Sequence, residues 1–276
     1  MKQRQSGFGL VPIIIIIVVA LVAVLLVWRF WPAPQPTVTP GATDADQALT
    51  DPKTKWSFNG NEWLPDALPP RCGEFNVKSP ADVTLASGVL YPGQVRGGNY
   101  KPHGGLRFDG KKNEDVTVRA PFDAKLVNAS RYIEGGEVQY LFTFVHPCGI
   151  AYRLDHLLTL SPELQKVADT LPAAKADNSV TTPFNDPVEV KQGATIATAV
   201  GFKKTSNVGF DFGLYDLRTQ NEASANATWA AQHANVKEYG WYGVCWLDWL
   251  SGDEKTTVKA LPAADQAQGK TSDYCK

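Results

Sequence analysis

Leu10 to Trp28 is a run of nineteen apolar residues with no charge in it, and it fixes where the rest of the chain can fold. As a helix, at about 1.5 Å per residue, such a run is roughly 28 Å long, close to the hydrocarbon thickness of a bilayer. Lys2 and Arg4 precede it, and Arg29 follows between Trp28 and Trp31, residue types that suit the headgroup region. The basic pair favours a short cytoplasmic N-terminus, residues 1–9. The apolar core is longer than a signal-peptide core, and no small-x-small site follows Trp28. Residues 10–31 are therefore expected to be an uncleaved transmembrane signal anchor, placing the rest outside the cytoplasm of a single-pass membrane protein.

Residues 32–55 read as a linker. Pro32, Pro34, Pro36 and Pro40 alternate with small and polar residues, the composition of an extended, semi-stiff spacer. The whole chain has 276 residues, a formal charge of −1 and 43% hydrophobic residues, enough for a core. No basic cluster points to nucleic acid. Cys72, Cys148, Cys245 and Cys275 all follow the anchor, and an even number on the outer side suggests two disulfides. Three connectivities are open. Cys245 with Cys275 would staple the tail, and Cys72 with Cys148 would tie the leading segment to the middle. No C-x₂₋₄-C spacing favours a zinc site instead.

From Trp56 the pattern is mainly β. Val116–Ala120, Lys125–Val127 and Val138–Val145 are followed by Gly149–Leu154 across a His146-Pro-Cys-Gly149 turn. Val188–Val190, Thr195–Val200 and Val208–Tyr215 continue the series. Short strands with Gly and Pro between them predict a compact antiparallel sandwich or open barrel. Ser161-Pro162 begins a short helix, because serine suits the N-cap and proline the first helical position. Residues 173–187 read as a loop. Residues 221–276 form an Ala- and Trp-rich extension, with Asn221–Lys237 helical and Trp241, Trp246 and Trp249 packed as core around Cys245.

Six stretches in order resemble the lysostaphin-type zinc endopeptidase domain, also called the duplicated hybrid motif. They are His103-Gly-Gly-Leu-Arg-Phe108, Val118–Val127, His146–Tyr152, Leu154-Asp-His-Leu157, Val190-Lys-Gln-Gly193 with Ile196, and Asp211-Phe-Gly-Leu214. The resemblance covers residues 88–217 within a β domain of residues 56–220. It implies a compact antiparallel β fold with a groove, a zinc ion, and peptidoglycan cross-bridges as substrate. In active members zinc is held by a His, an Asp four residues later and the last His of a His-x-His pair; two further histidines act on the water and the transition state. Carried over, His103 matches the first ligand, and Arg107 stands at the Asp position. His156 is the candidate vestigial catalytic residue. Gly209 and Asp211 stand where the His-x-His pair would be. The groove residues implied are His103, Arg107, His156 and Asp211.

A catalytic zinc needs three protein ligands, and His103 and Asp211 supply two. Arg107 keeps its charge and has no lone pair to donate. At ~4 Å and an effective dielectric of 20, it repels a divalent cation by roughly 8 kcal/mol, a large part of the about 10–16 kcal/mol that binds structural zinc in zinc-finger peptides. No metal and no cofactor is therefore expected, and Arg107 is free to pair with Asp211 in place of the ion. The expected role is a non-catalytic peptidase-like module of the cell envelope that binds a peptidoglycan peptide or an envelope protein. In an alternative reading, Asp109 takes the Asp role, and His103 and Asp211 hold zinc in an active endopeptidase. In another, the chain is a glycan-binding or surface-assembly protein. Its tryptophans suit sugars, and Ser6-Gly7-Phe8-Gly9-Leu10 resembles a type IV prepilin start, with Pro12 where that family has Glu. His146 is expected to be a turn residue and His233 to have no role.

Overall fold

The computed structural model describes residue 51 and residues 53–276; the expected cytoplasmic N-terminus, signal anchor and most of the linker lie outside the described residues. Among the described residues no helix is long and apolar enough to cross a membrane. The architecture is mainly β, with antiparallel sheets and a few short helices. Among the described residues thirteen strands run β1 (Trp56–Phe58), β2 (Trp63–Pro65), β3 (Gly88–Leu90), β4 (Gln94–Arg96), β5 (Asn99–Lys101), β6 (Gly104–Arg107), β7 (Val118–Arg119), β8 (Ala124–Glu134), β9 (Glu137–Val145), β10 (Ile150–Leu160), β11 (Thr182–Val190), β12 (Thr195–Val200) and β13 (Gly209–Asp216).

Nine of these strands share one sheet in the order β11-β8-β9-β10-β13-β6-β3, with β12 branching from β10 and β7 paired to β12. The branch arises because β10 changes neighbours along its length. Ile150–Asp155 pairs with β13, while Leu157, Thr159 and Leu160 pair with β12. β1 and β2, and β4 and β5, form separate hairpins. Gly135 and Gly136, with φ of 59° and 75°, close the long β8–β9 hairpin in the left-handed conformations that a two-residue turn requires.

Alternation along the strands divides the burial between two faces. Leu106, Phe142, Phe144, Tyr152, Leu154, Phe210 and Phe212 point into the larger core, with Trp246 fully buried among them. Each such side chain contributes about 1.5–3 kcal/mol of burial. The opposite face carries a smaller cluster of Trp63, Val145, Ala151, Tyr215, Leu217, Tyr239 and Tyr242. The site occupies the part of this second face that the cluster leaves free.

The Ser161–Pro162 signal is borne out as α1 (Pro162–Ala168), with the serine hydroxyl accepting from the Leu164 N–H. Two other expectations change. Thr182–Pro187, read as loop, belongs to β11, because the open edge of β8 offers a ladder that an edge strand can join despite Pro183 and Pro187. The Ala-rich segment is helical only in pieces: a 3₁₀ turn at Glu222–Ala225, α2 (Ala227–Gln232), a second 3₁₀ turn at Ala234–Val236 and α3 (Lys237–Gly240). Asn221 and Asn226 each accept backbone N–H groups as new N-caps, which breaks the run. α4 (Trp246–Trp249) and α5 (Gly252–Ala260) complete the chain. Trp246 is core, whereas Trp241 and Trp249 are half-buried.

The disulfides are Cys72–Cys148 and Cys245–Cys275, closing loops of 76 and 30 residues. Loop entropy assigns them about 4.5 and about 3.6 kcal/mol respectively. Replacing both Cys72 and Cys148 by Ala should therefore lower the urea midpoint more than replacing both Cys245 and Cys275. Equilibrium unfolding of the two variants, at unchanged slope, is the measurement; a larger loss at the shorter loop would contradict it.

Candidate functional site

The register of β13 builds the site. Asp211 lies opposite Gly105 on one side and Asp155 on the other. Gly105 is needed here, since a Cβ would stand 2.3 Å from the Phe210 carbonyl. His103, just ahead of β6, brings its Nε2 to 2.9 Å from Asp211 Oδ2. The contact is close but not aligned as a hydrogen bond, and Nε2 is sealed from solvent. Arg96 fixes the histidine from behind: its guanidinium donates to the carbonyls of His103 (2.9 Å) and Tyr91 (2.6 Å).

His156 stands at the branch of the sheet. Asp155 is the last residue of β10 paired with β13, and Leu157 is the first paired with β12. Between them His156 takes φ +61°, a left-handed conformation unusual for a residue with a Cβ. Its amide N–H donates to Asp155 Oδ1 (2.8 Å), which also accepts the Tyr132 hydroxyl (2.6 Å). The kink turns the imidazole toward Asp211, with Nε2 3.7 Å from the same Oδ2 that His103 approaches. Its Nδ1 lies 3.5 Å from the Tyr132 hydroxyl and 3.9 Å from Glu134 Oε2. Phe202 packs on the ring.

Burial alone would raise the Asp211 carboxyl, but His103, His156 and Arg96 outweigh it and hold the group well below the usual carboxylate range. For His156, burial opposes protonation. Asp155, Asp211 and Glu134 outweigh it and push the imidazole up, while Lys101 pulls the other way.

The structure thus brings His103, His156 and Asp211 together, and it corrects the expected Arg107–Asp211 pair. Arg107 lies opposite Gly209, two positions from Asp211, and its Nη2 turns to Asp109 at 3.3 Å. Its stem lies over Gly209: a Cβ at 209 would be 3.0 Å from Arg107 Cδ. Asp109 is exposed and is engaged by Arg107 and by the Ser87 hydroxyl. His146 is a turn residue whose Nδ1 accepts the Cys148 N–H. His233 stacks on Tyr100 and Trp229. Tyr132, Glu134, Arg96 and Phe202 were not legible as site residues; only the strand period over Ala124–Glu134 places Tyr132 and Glu134 on one face.

Chemically, the arrangement is a carboxylate gripped by two imidazoles. Every cysteine among the described residues is in a disulfide, so no thiol is available. Among the described residues no group of three or more His, Cys, Asp or Glu is arranged to hold a metal ion. Of the three positions where the resemblance has zinc ligands, Arg107 offers no lone pair, while His103 and Asp211 carry donor atoms. A surface cleft lies elsewhere, among Lys78, Asp82, Arg119 and Glu254. No protein-family model matches the chain, and no curated protein or solved structure matches it either.

Two expected outcomes follow from this geometry. Because the His156 pKa is raised above 6.5, its contribution is fully present below that value and is lost as pH rises through the folded one. The depressed Asp211 contributes above 3.8, and its contribution is lost as pH falls through the folded value. Stability by denaturant titration should therefore be higher near about pH 5.5 than in mild alkali, and Asp211→Asn should flatten that difference; an unchanged profile would refute the coupling. Separately, His156→Val should destabilise by about 1–2 kcal/mol more than His156→Asn, since asparagine tolerates a left-handed backbone and valine does not. Equal losses would deny that the backbone is strained there.

Proposed function

We propose that the chain is a single-pass, membrane-anchored protein whose outer domain has a degenerate lysostaphin-type fold. It works in the cell envelope as a non-catalytic module that binds a peptidoglycan peptide or an envelope protein. The supporting observation is the seating of Arg107 on Gly209. Arg107 stands at the position where the resemblance has a metal ligand, and a Cβ at 209 would lie 2.9 Å from the Leu106 carbonyl and 3.0 Å from Arg107 Cδ, so a histidine there would need both to shift. His103, His156 and Asp211 remain on one face, engaged with one another. They present imidazole and carboxylate groups to a ligand without the open metal position that hydrolysis uses. The two disulfides suit an oxidising compartment.

The test uses the full chain in detergent, with three readouts: bound zinc by elemental analysis, muropeptide release, and co-sedimentation with purified cell-wall sacculi. The expected result is no stoichiometric zinc, no release, and sedimentation with the wall. Stoichiometric zinc with turnover would overturn the reading. A rebuilt variant carrying R107D, G209H and D211H should gain one zinc per chain; failure of a folded variant to do so would remove the lysostaphin-type assignment.

A further inference from the structure

The β4–β5 hairpin stands apart from the main sheet, yet it carries Arg96, whose guanidinium holds the His103 carbonyl. What holds the hairpin is the end of the chain. Gln94 of β4 is buried, and its amide donates to the carbonyls of Gly269 (3.0 Å) and Thr271 (2.5 Å). The Asp273 N–H donates to the Gly93 carbonyl (3.0 Å), and the Ser272 hydroxyl to that of Pro92 (2.5 Å). On β5, the Tyr100 hydroxyl donates to Asp273 Oδ2 (3.0 Å). Tyr274 packs over Gly93, where a Cβ would stand 3.2 Å from its ring. The next residue is Cys275.

Its disulfide partner leads to the same histidine by another route. Cys245 precedes α4, and Trp246 at the start of that helix is fully buried against Phe212, with ring centroids 5.3 Å apart. Gly104, next to His103, leaves room for the indole, since a Cβ there would stand 2.6 Å from Trp246 Nε1. The Cys245–Cys275 bond therefore joins two paths that converge on His103. One runs through the tail, β4 and Arg96, the other through Trp246 and Gly104. The bond is also within reach of solvent. A cleft of about 380 Å³ opens among Val244, Cys245, Asp273, Tyr274 and Lys276, and Cys275 is partly exposed. Cys72 borders a cleft too, but its bond ties the leading segment to the β9–β10 turn rather than to the hairpin.

We infer that the C-terminal segment is a strap and that its disulfide is a thiol-responsive latch. With the latch closed, the strap keeps the hairpin down and His103 against Asp211; opening it frees the hairpin and uncovers His103. A dithiol opens the latch in two exchanges. One thiolate of the donor attacks Cys275 Sγ, the bond to Cys245 breaks, and Cys245 leaves as a thiolate that takes a proton. The donor's second thiolate attacks the donor sulfur of the mixed disulfide, and Cys275 leaves in the same way. The donor's two thiols are oxidised to a disulfide and the two cysteines are reduced. Once the 30-residue loop is open, the tail is a chain end held only by hydrogen bonds and side-chain packing, and it frays. The regulatory meaning rests on the reading of this face as a binding site; the coupling from latch to histidine does not.

The experiment treats the full chain in detergent with a graded series of dithiothreitol, a dithiol, and reads three quantities by mass spectrometry. They are alkylation of each cysteine, amide exchange over residues 91–107, and carbethoxylation of His103, whose Nε2 is sealed in the closed form. Cys275 should become alkylated while β8 and β9 still resist exchange. Exchange over 91–107 and modification of His103 should rise with it by about tenfold or more. Cys245→Ser with Cys275→Ser should show the same rise without reductant, and Gln94→Leu should show it with both disulfides intact. Three results would overturn the inference and leave a plain staple: alkylation of Cys275 only as β8 and β9 unfold, His103 and 91–107 unmoved once Cys275 is alkylated, or a rise spread evenly over the domain. The titration of the unaltered chain decides even where a variant fails to fold. Sacculus sedimentation before and after reduction is read separately. Sedimentation with no response of His103 removes the strap and keeps the envelope role, while a response without sedimentation does the reverse.

Discussion

Everything on the site face depends on β10 changing partner between Asp155 and Leu157. An antiparallel strand has two edges, and β9 holds one of them on both sides of the change. The other edge passes from β13 to β12, and the backbone turns left-handed at His156 to allow it. Such a conformation costs about 1–3 kcal/mol and persists only where its surroundings over-determine it. Here they do: the His156 N–H is capped by Asp155, and its carbonyl accepts from Gly201. The ordinary strand alternation would have kept that imidazole away from Asp211. The kink is what lets three separate strand segments meet at one carboxylate.

That meeting sets the electrostatics. Burial alone would push this carboxyl up; the two imidazoles and the nearby Arg96 charge outweigh it and hold the group below the usual carboxylate range. In turn it helps keep His156 chargeable despite its burial. Tyr132 and Asp155 then fix the kinked segment from the neighbouring strand. The site is thus held by second contacts from β8 and the β4–β5 hairpin as much as by the residues that face each other.

Much of this was legible in the sequence, and the gaps have definite physical causes. The Ser161–Pro162 helix start was readable because capping chemistry is local. The mainly β pattern was readable because alternation is local too. What failed was register. A sequence places Arg107 and Asp211 on strands but not opposite which partner, and the actual pairing puts Gly209 across from Arg107 and Gly105 across from Asp211. Thr182–Pro187 was hidden because an edge strand needs only one set of hydrogen bonds and so tolerates prolines that argue for a loop. Tyr132 acts on Asp155, 23 residues on in the chain, and Arg96 reaches the His103 carbonyl only through the fold-back of the β4–β5 hairpin, so neither role shows in a local pattern.

The edges of the sheet decide how a partner can approach. At one end β3 is not free: Val89 exchanges backbone hydrogen bonds with Pro262 and Ala264 of the C-terminal segment. At the other end β11 is open, but Pro183 and Pro187 remove donors from it, a device that blunts strand addition. The larger core fills one face with aromatic side chains, and the β1–β2 hairpin with Tyr239 and Tyr242 covers part of the other. Backbone pairing is therefore a poor route onto this domain. The rest of that second face carries the polar residues Thr143, Arg153, Asp155 and Asp211, paired across β9, β10 and β13.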